Sequence, residues 1–266
     1  MKNLTTIFKE HFSNFYMIGR LSNYEMKKEF ADSQLGTVWA FINPLLQIGV
    51  YWLIFGTGIR KGLPVDGIPF IFWMLCGLIP WFFISSSILQ GSSAIFNRLN
   101  TVSKMNFPLS IIPTYVILSR FYTHLFMLAL LLISVVFSQG FGHINVLSLL
   151  YFMFVNLLFA TCLALVSSTL STLIRDIHLL IQSTTRMLLY LTPILWVPRS
   201  GGTLQKIMML NPYYYIVTGY RRSILYNDYH MIFSLYSVYF WCFMLALLIF
   251  GAVIHIKFRK SFVDIL

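Results

Sequence analysis

Residues 35–60, LGTVWAFINPLLQIGVYWLIFGTGIR, form an almost uncharged apolar run interrupted once by Pro44. A helix crosses the hydrocarbon core of a bilayer with about 20 apolar residues at ~1.5 Å each, so this run is long enough to span. Further runs read as spans near 70–90, 111–137, 146–172, 179–197 and 231–256, which predicts six transmembrane helices. With 58% hydrophobic residues, 10% charged residues and a mean hydropathy of +0.76, little chain remains for a soluble domain. Long continuous runs argue against a membrane β-barrel, whose strands alternate over about ten residues. The expected fold is an all-α integral membrane protein.

The net charge of +11 is mostly topological information. With the N-terminus inside, Lys2, Lys9, Arg20, Lys27, Lys28, Arg98, Lys104, Arg175, Lys257, Arg259 and Lys260 fall on the cytoplasmic side. The opposite side holds Arg60, Lys61, Arg199, Lys206, Arg221 and Arg222. An even number of spans then puts both termini in the cytoplasm, and nucleic acid is not an expected partner. The first apolar run follows 34 mixed residues with no small-residue cleavage site, so insertion without cleavage is expected. Cys76, Cys162 and Cys242 fall in apolar spans with no metal-ligand or disulfide spacing and read as small packing residues.

Residues 1–34 read as cytoplasmic amphipathic interface helices. Leu4, Ile7, Phe8, Phe12, Phe15 and Ile18 recur at helical spacing. Ser22 and Glu25 have the spacing of a capping box, predicting a second short helix from Ser22 to about Phe30 that carries Glu25, Lys27, Lys28 and Glu29. Such a segment lies in the headgroup layer, docks a cytoplasmic protein, or does both. The connection 91–108, GSSAIFNRLNTVSKMNFP, is polar enough to leave the bilayer and helix-compatible as far as Met105; it is a second docking platform or a plain loop. A third connection, with Arg175 and Asp176, is a charged turn or part of the same face.

Ionisable groups inside spans are costly and face protein or water. Arg120 and His124 lie one helical turn apart in the third span, while Gln182, Arg186 and Tyr190 mark one stripe of the fifth. Each Arg is explained by structural pairing, by snorkelling or by contact with an anionic substrate. Residues 198–230 are too long for a tight turn and too apolar for an open loop, which fits two short helices re-entering the outer leaflet before the last span. The aromatic residues there suit an interfacial belt or stacking against sugar rings.

The sequence contains no phosphate-loop motif, HExxH, zinc-spaced cysteines or GxSxG. Only eight acidic residues occur, and six lie in segments read as cytoplasmic, so coupling to proton or sodium gradients through intramembrane carboxylates is disfavoured. An active transporter of this composition needs its energy from another chain, and the cytoplasmic platforms are where that partner can push.

The segments LGTVWAFINPLLQIGVYWLIFG, NRLNTVSKMNFPLSIIP, RDIHLLIQSTTRMLLYLTPILW and NPYYYIVTGYRRSILY resemble, in order and over nearly the whole chain, the polysaccharide-export branch of ABC-2 (type V exporter-like) permeases. Within it, YMIGRLSNYEMKKEF, NPLLQIGVYW, GTGIRKG and PFIFWMLCGLIPWFF are most similar to teichoic acid translocation permeases. The resemblance implies a single transmembrane domain over 35–266 and a homodimer in the bacterial plasma membrane. It also implies two separate ATPase subunits, which bind the ATP and Mg while this chain holds no cofactor, and an undecaprenyl-pyrophosphate-linked polymer as cargo. It places ATPase coupling at Glu25, Lys28, Asn97, Arg98, Lys104, Arg175 and Asp176, with Trp39, Tyr51, Trp52, Tyr190 and Trp196 on the pathway.

Arg186 near the cytoplasmic interface is expected to draw the pyrophosphate, and Arg60, Lys61 and Arg221 to favour exit of a polyphosphate. No catalytic residue and no metal site are expected. Two other readings remain: the same fold exporting O-antigen, capsular polysaccharide or a small drug, and a membrane scaffold or lipid-directed enzyme.

Overall fold

The computed structural model describes residues 2–59, 61–102, 107–197, 202, 207–259 and 261–262. Arg60 and Lys104 lie outside the described residues. Two short helices, α1 (Lys2–Ser13) and α2 (Phe15–Lys28), precede the first span. That span is composite. A 3-10 turn Gly36–Val38 leads into α3 (Trp39–Tyr51), which continues as a π-helical segment Trp52–Ile59. There follow α4 (Phe70–Ser93), a 3-10 turn Phe96–Arg98 running into α5 (Leu99–Val102), α6 (Ile111–Gln139) and α7 (Val146–Leu173). The series ends with α8 (Asp176–Leu191), α9 (Pro212–Leu225) and α10 (Leu235–Phe258).

Five of these units are long and apolar enough to cross a membrane: Gly36–Ile59, Phe70–Ser93, Ile111–Gln139, Val146–Leu173 and Leu235–Phe258. Their boundaries fall within a few residues of those expected from hydropathy. The expected fifth span differs. Its helix stops at Leu191 after 16 residues, and Thr192–Val197 continue without helix. At ~1.5 Å per residue, α8 covers about 24 Å, less than a bilayer core.

Local signals set the ends. Asn145 Oδ1 accepts from Ser148 N at 3.0 Å to start α7, and Gly140 at φ 82° ends α6 where a side chain would be strained. Asn211 Oδ1 accepts from Tyr213 N at 3.0 Å with Pro212 in the first turn of α9, and Ser234 starts α10 in the same way.

The α4 and α7 helices form the centre of the bundle, flanked by α6 and α10. Their shared core holds Phe152, Phe159, Tyr215, Tyr220 and Phe240, all fully buried. The ring of Tyr215 stacks on Phe240 at 4.5 Å, and its hydroxyl donates to Ser237 Oγ at 2.9 Å. Buried phenols are tolerated here because their hydroxyls find partners. Close approach of α9 to α7 requires Gly219, where a Cβ would meet the Phe152 ring at 2.2 Å.

Both N-terminal helices lie on one end of the bundle. Ile7 packs with Leu165 and Ala252, and Ile18 with Ile111, Ile112 and Tyr115. The expected break at Ser22 is not there. Helix α2 runs through it, with Ser22 buried, its Oγ donating to Gly19 O and 3.0 Å from Tyr122 Oη on α6. Ser22 is therefore an internal contact, and the two N-terminal helices separate at Asn14 instead. Glu25, the supposed second half of the capping box, is taken by Arg98.

Candidate functional site

Three connections meet at the end that carries α1 and α2. Arg98 forms an ion pair with Glu25 of α2, donates from Nη1 to Ala94 O at 2.9 Å, and lies 5.6 Å from the Tyr115 ring centre. His178 in the first turn of α8 is 2.8 Å from Ser92 Oγ at the end of α4, and its ring abuts Phe96. These contacts bring Glu25, Asn97, Arg98, Arg175 and Asp176 to one face, with Lys28, Asn97, Arg175 and Asp176 exposed. Glu25 and Arg98 are mostly buried against each other, so they tie the connection to α2 and are not free docking charges. Two more ties hold the N-terminal helices. Arg259 pairs with Glu10 at 2.9 Å, and Arg120 of α6 pairs with Glu29. Arg120 is thus structurally paired.

The second region runs along the bilayer-depth surface of the bundle. In α3, Asn43, Gln47 and Tyr51 stand four residues apart and share a helical stripe; Asn43 and Gln47 are exposed. In α8, Gln182, Arg186 and Tyr190 make an equivalent stripe; Arg186 is exposed and Tyr190 is 64% exposed. Arg186 lies ten residues, or about 15 Å, from the start of α8, past the middle of this 16-residue helix and not near its first turn as expected. The two stripes approach at their far ends, where Tyr51 and Tyr190 are electrostatic neighbours. Trp196 Nε1 donates to Tyr190 O at 3.0 Å, and Tyr51 stacks on Phe82 of α4 at 6.4 Å. The structure therefore joins Tyr190 and Trp196 directly and leaves Tyr51 nearby, against α4. Trp39 lies at the other end of α3, near Glu29 and Gln90, while Trp52 turns its ring onto Gly56 in the π-helical segment. A π-helical turn in a span is a common mark of a functional position.

The residues expected on the exit side divide. Lys61 is exposed, in a left-handed conformation with φ 52°. Arg221 is not an accessible base: it is 6% exposed. Its guanidinium donates to Trp73 O at 3.2 Å, Pro193 O at 2.7 Å and Ile194 O at 2.9 Å, and lies 3.5 Å from the Trp73 ring centre. Two of those carbonyls, Pro193 and Ile194, belong to the non-helical stretch after α8, whose orphaned acceptors need donors inside an apolar bundle, and the third, Trp73, lies in the first turn of α4. A buried, fully bonded Arg221 does not fit the exit-side role expected of it, and nothing in the sequence links it to Pro193.

The segment around α9 is correspondingly internal. Tyr213 in its first turn packs against Trp81 at 5.9 Å and Phe159 at 5.5 Å, residues near the middles of α4 and α7. Asn211 Nδ2 donates to Thr192 Oγ1 at 3.0 Å, joining the start of α9 to the end of α8. At its other end, Tyr226 donates to Asp66 Oδ2 at 3.1 Å; burial, with that carboxylate adding, pushes the phenol up to about 12 and keeps it a donor.

Asn43 and Gln47 were missed as site residues, although two amides four apart in an uncharged span are a readable signal. Glu29 and Gln90 gave no such signal, since Gln90 meets Glu29 only through folding, at 3.2 Å.

The chain matches the family model of ABC-2 type transporters over residues 17–225. A relative named O-antigen export system permease protein RfbA, from Myxococcus xanthus, is 29% identical over 74% of this chain and 75% of its own length. A protein of the same name from Klebsiella pneumoniae is 25% identical over 68% of this chain and 69% of its own. With an all-helical, multi-pass architecture and a match that runs from α2 to the end of α9, the chain belongs to the ABC-2 type transporter family, as a membrane transport subunit and not an enzyme.

Proposed function

We propose that the chain is the permease subunit of an ATP-driven exporter of a lipid-pyrophosphate-linked cell-surface polysaccharide. The observation that carries this reading is the pair of polar stripes, Asn43–Gln47–Tyr51 and Gln182–Arg186–Tyr190, in which Asn43, Gln47, Arg186 and Tyr190 are exposed and Tyr51 and Gln182 are half-buried. An unpaired Arg and several amides are not tolerated against hydrocarbon, where an Arg at the span centre costs about 2.5–3.5 kcal/mol on insertion scales. They call for a polar pathway, closed by a second copy of the chain. Its walls carry hydroxyls, amides and aromatic faces, which re-register readily against a repetitive glycan.

In this reading both termini and the α1–α2 end are cytoplasmic. Two ATPase subunits dock there against Lys28, Asn97, Arg175, Asp176 and the connection containing Lys104. Their closure moves α2 and the Arg98 connection as one body through the Glu25 pair, and that motion parts the seam between copies. Arg186 attracts the pyrophosphate of the lipid carrier. Tyr51, Tyr190 and Trp196 form the aromatic wall further along.

The teichoic acid motifs favour a polymer rich in phosphate, and the names of the relatives favour O-antigen equally. Depletion decides between them: loss of cell-wall phosphate supports the first, and loss of a neutral surface glycan the second. The export reading itself is tested by ATP-dependent movement of a fluorescent lipid-pyrophosphate glycan into proteoliposomes. Transport is expected with the ATPase partner and not with this chain alone. Arg186→Gln is expected to cut it at least ten-fold at unchanged membrane level; intact transport removes the pyrophosphate role.

A further inference from the structure

A cavity of about 280 Å³ lies between α3, α4 and α6, at the end of the bundle near α2. Glu29, Gln90 and Arg120 stand at one end of it, and Ile79, His124 and Met127 at the other. Ser85, Ser86 and Thr123 supply hydroxyls, α3 supplies Asn43 and Gln47, and the rings of Trp39 and Phe82 complete the wall. The volume is just under the roughly 300–1,000 Å³ of small-molecule pockets, which suits one ring better than a repeat unit.

The charges narrow the ligand further. Glu29 accepts from Gln90 through Oε1 at 3.2 Å and from Arg120 through Oε2, so the guanidinium charge is already balanced. A second anion such as a pyrophosphate would meet the Glu29 carboxylate and find no uncompensated cation there. An acyl chain would strand the amides and hydroxyls without water. What the wall offers is a mixture of donors and acceptors beside aromatic rings, and one donor, Arg120 Nε, is buried without a partner. Vicinal hydroxyls and the C–H face of a pyranose match that mixture.

We propose that this cavity is a subsite for one neutral sugar ring, the lipid-proximal residue of the transported glycan, held while its carrier lipid remains in the leaflet. The inference rests on the export reading above. A substrate anchored by its tail keeps its first sugar close to the headgroup layer, and one end of the cavity opens at Glu29, just past α2, and Gln90, in the last turn of α4. The subsite would let the permease distinguish a glycosylated carrier from the bare carrier lipid before committing to transport.

The test is equilibrium binding to the permease–ATPase complex in nanodiscs, with undecaprenyl pyrophosphate and undecaprenyl-pyrophosphate-linked N-acetylglucosamine as the two probes. The expected result is at least ten-fold tighter binding of the glycosylated probe. Ser86→Leu, which fills the cavity, erases that preference and leaves bare-lipid affinity unchanged, while Ser86→Ala keeps it. If Ser86→Leu does not assemble, Ser85→Ala with Thr123→Ala makes the same comparison by removing hydroxyls alone. Equal affinity for both probes, or a variant that weakens both alike, overturns the proposal. ATP-driven transport is measured in parallel. A complex that transports but shows no sugar preference sinks the subsite alone, whereas sugar-dependent binding without transport supports the subsite and sinks the export reading.

Discussion

Arg221 shows how one side chain can hold an irregular backbone inside a bundle. Its three donors go to Trp73, Pro193 and Ile194 carbonyls, so removing it strands acceptors where there is no water. Arg221→Met is expected to destabilise the protein by about 3 kcal/mol, in the range for losing a buried charged hydrogen-bonding partner. Arg222→Met is the control, because Arg222 is 46% exposed and its ion pair, among the described residues, is with Asp228; it should stay within about 0.5 kcal/mol. Thermal unfolding in detergent measures both, and equal melting temperatures for the two variants would refute the assigned role. Gly219→Ala places a Cβ 2.2 Å from the Phe152 ring and is expected to cost about 1–3 kcal/mol through overpacking.

At the scale of elements, α2 and the connection after α4 are joined by Glu25 and Arg98, both less than one-fifth exposed. Glu25→Arg and Arg98→Glu are each expected to loosen the N-terminal helices, raising amide exchange in α2, and the double reversal is expected to restore protection in part. Additive effects would show that the pair does not couple the two elements. The four helices with uninterrupted apolar runs, α4, α6, α7 and α10, were legible within a few residues because hydropathy and length alone define them. Hydropathy extends α8 beyond its end at Leu191 because TPILW is as apolar as the helix before it, and apolar character does not reveal where the backbone leaves the helix. Ser22 misled for a related reason: a capping box is a local pattern, and the hydroxyl of Tyr122 on α6, which competes for that Ser, is a hundred residues away in sequence.

For the whole molecule, the export reading needs a second wall against the polar stripes of α3 and α8. Cysteine substitution should show it: Ser183→Cys and Gln47→Cys react with a membrane-impermeant thiol reagent in the assembled transporter, and Leu245→Cys on the apolar surface of α10 does not. Uniform protection would argue that both stripes are sealed against protein or lipid. The candidate site was half legible. The stripe Gln182, Arg186 and Tyr190 follows from helical spacing, but its meeting with Tyr51 depends on packing around α4 that no periodicity encodes.

The short α8, its non-helical continuation and the buried α9 also bear on how the protein is made. The five long apolar units have the hydropathy to enter the bilayer singly, whereas α8 carries Arg186, Gln182 and a run of hydroxyl residues over only 16 positions. Its depth is secured by partners from elsewhere in the chain, Asn211 against Thr192 and Arg221 against Pro193 and Ile194. The long spans are therefore expected to partition first, with α8 and α9 settling afterwards onto them, so a tight-packing lesson such as Gly219→Ala is expected to lower the yield of mature protein before it lowers transport per molecule.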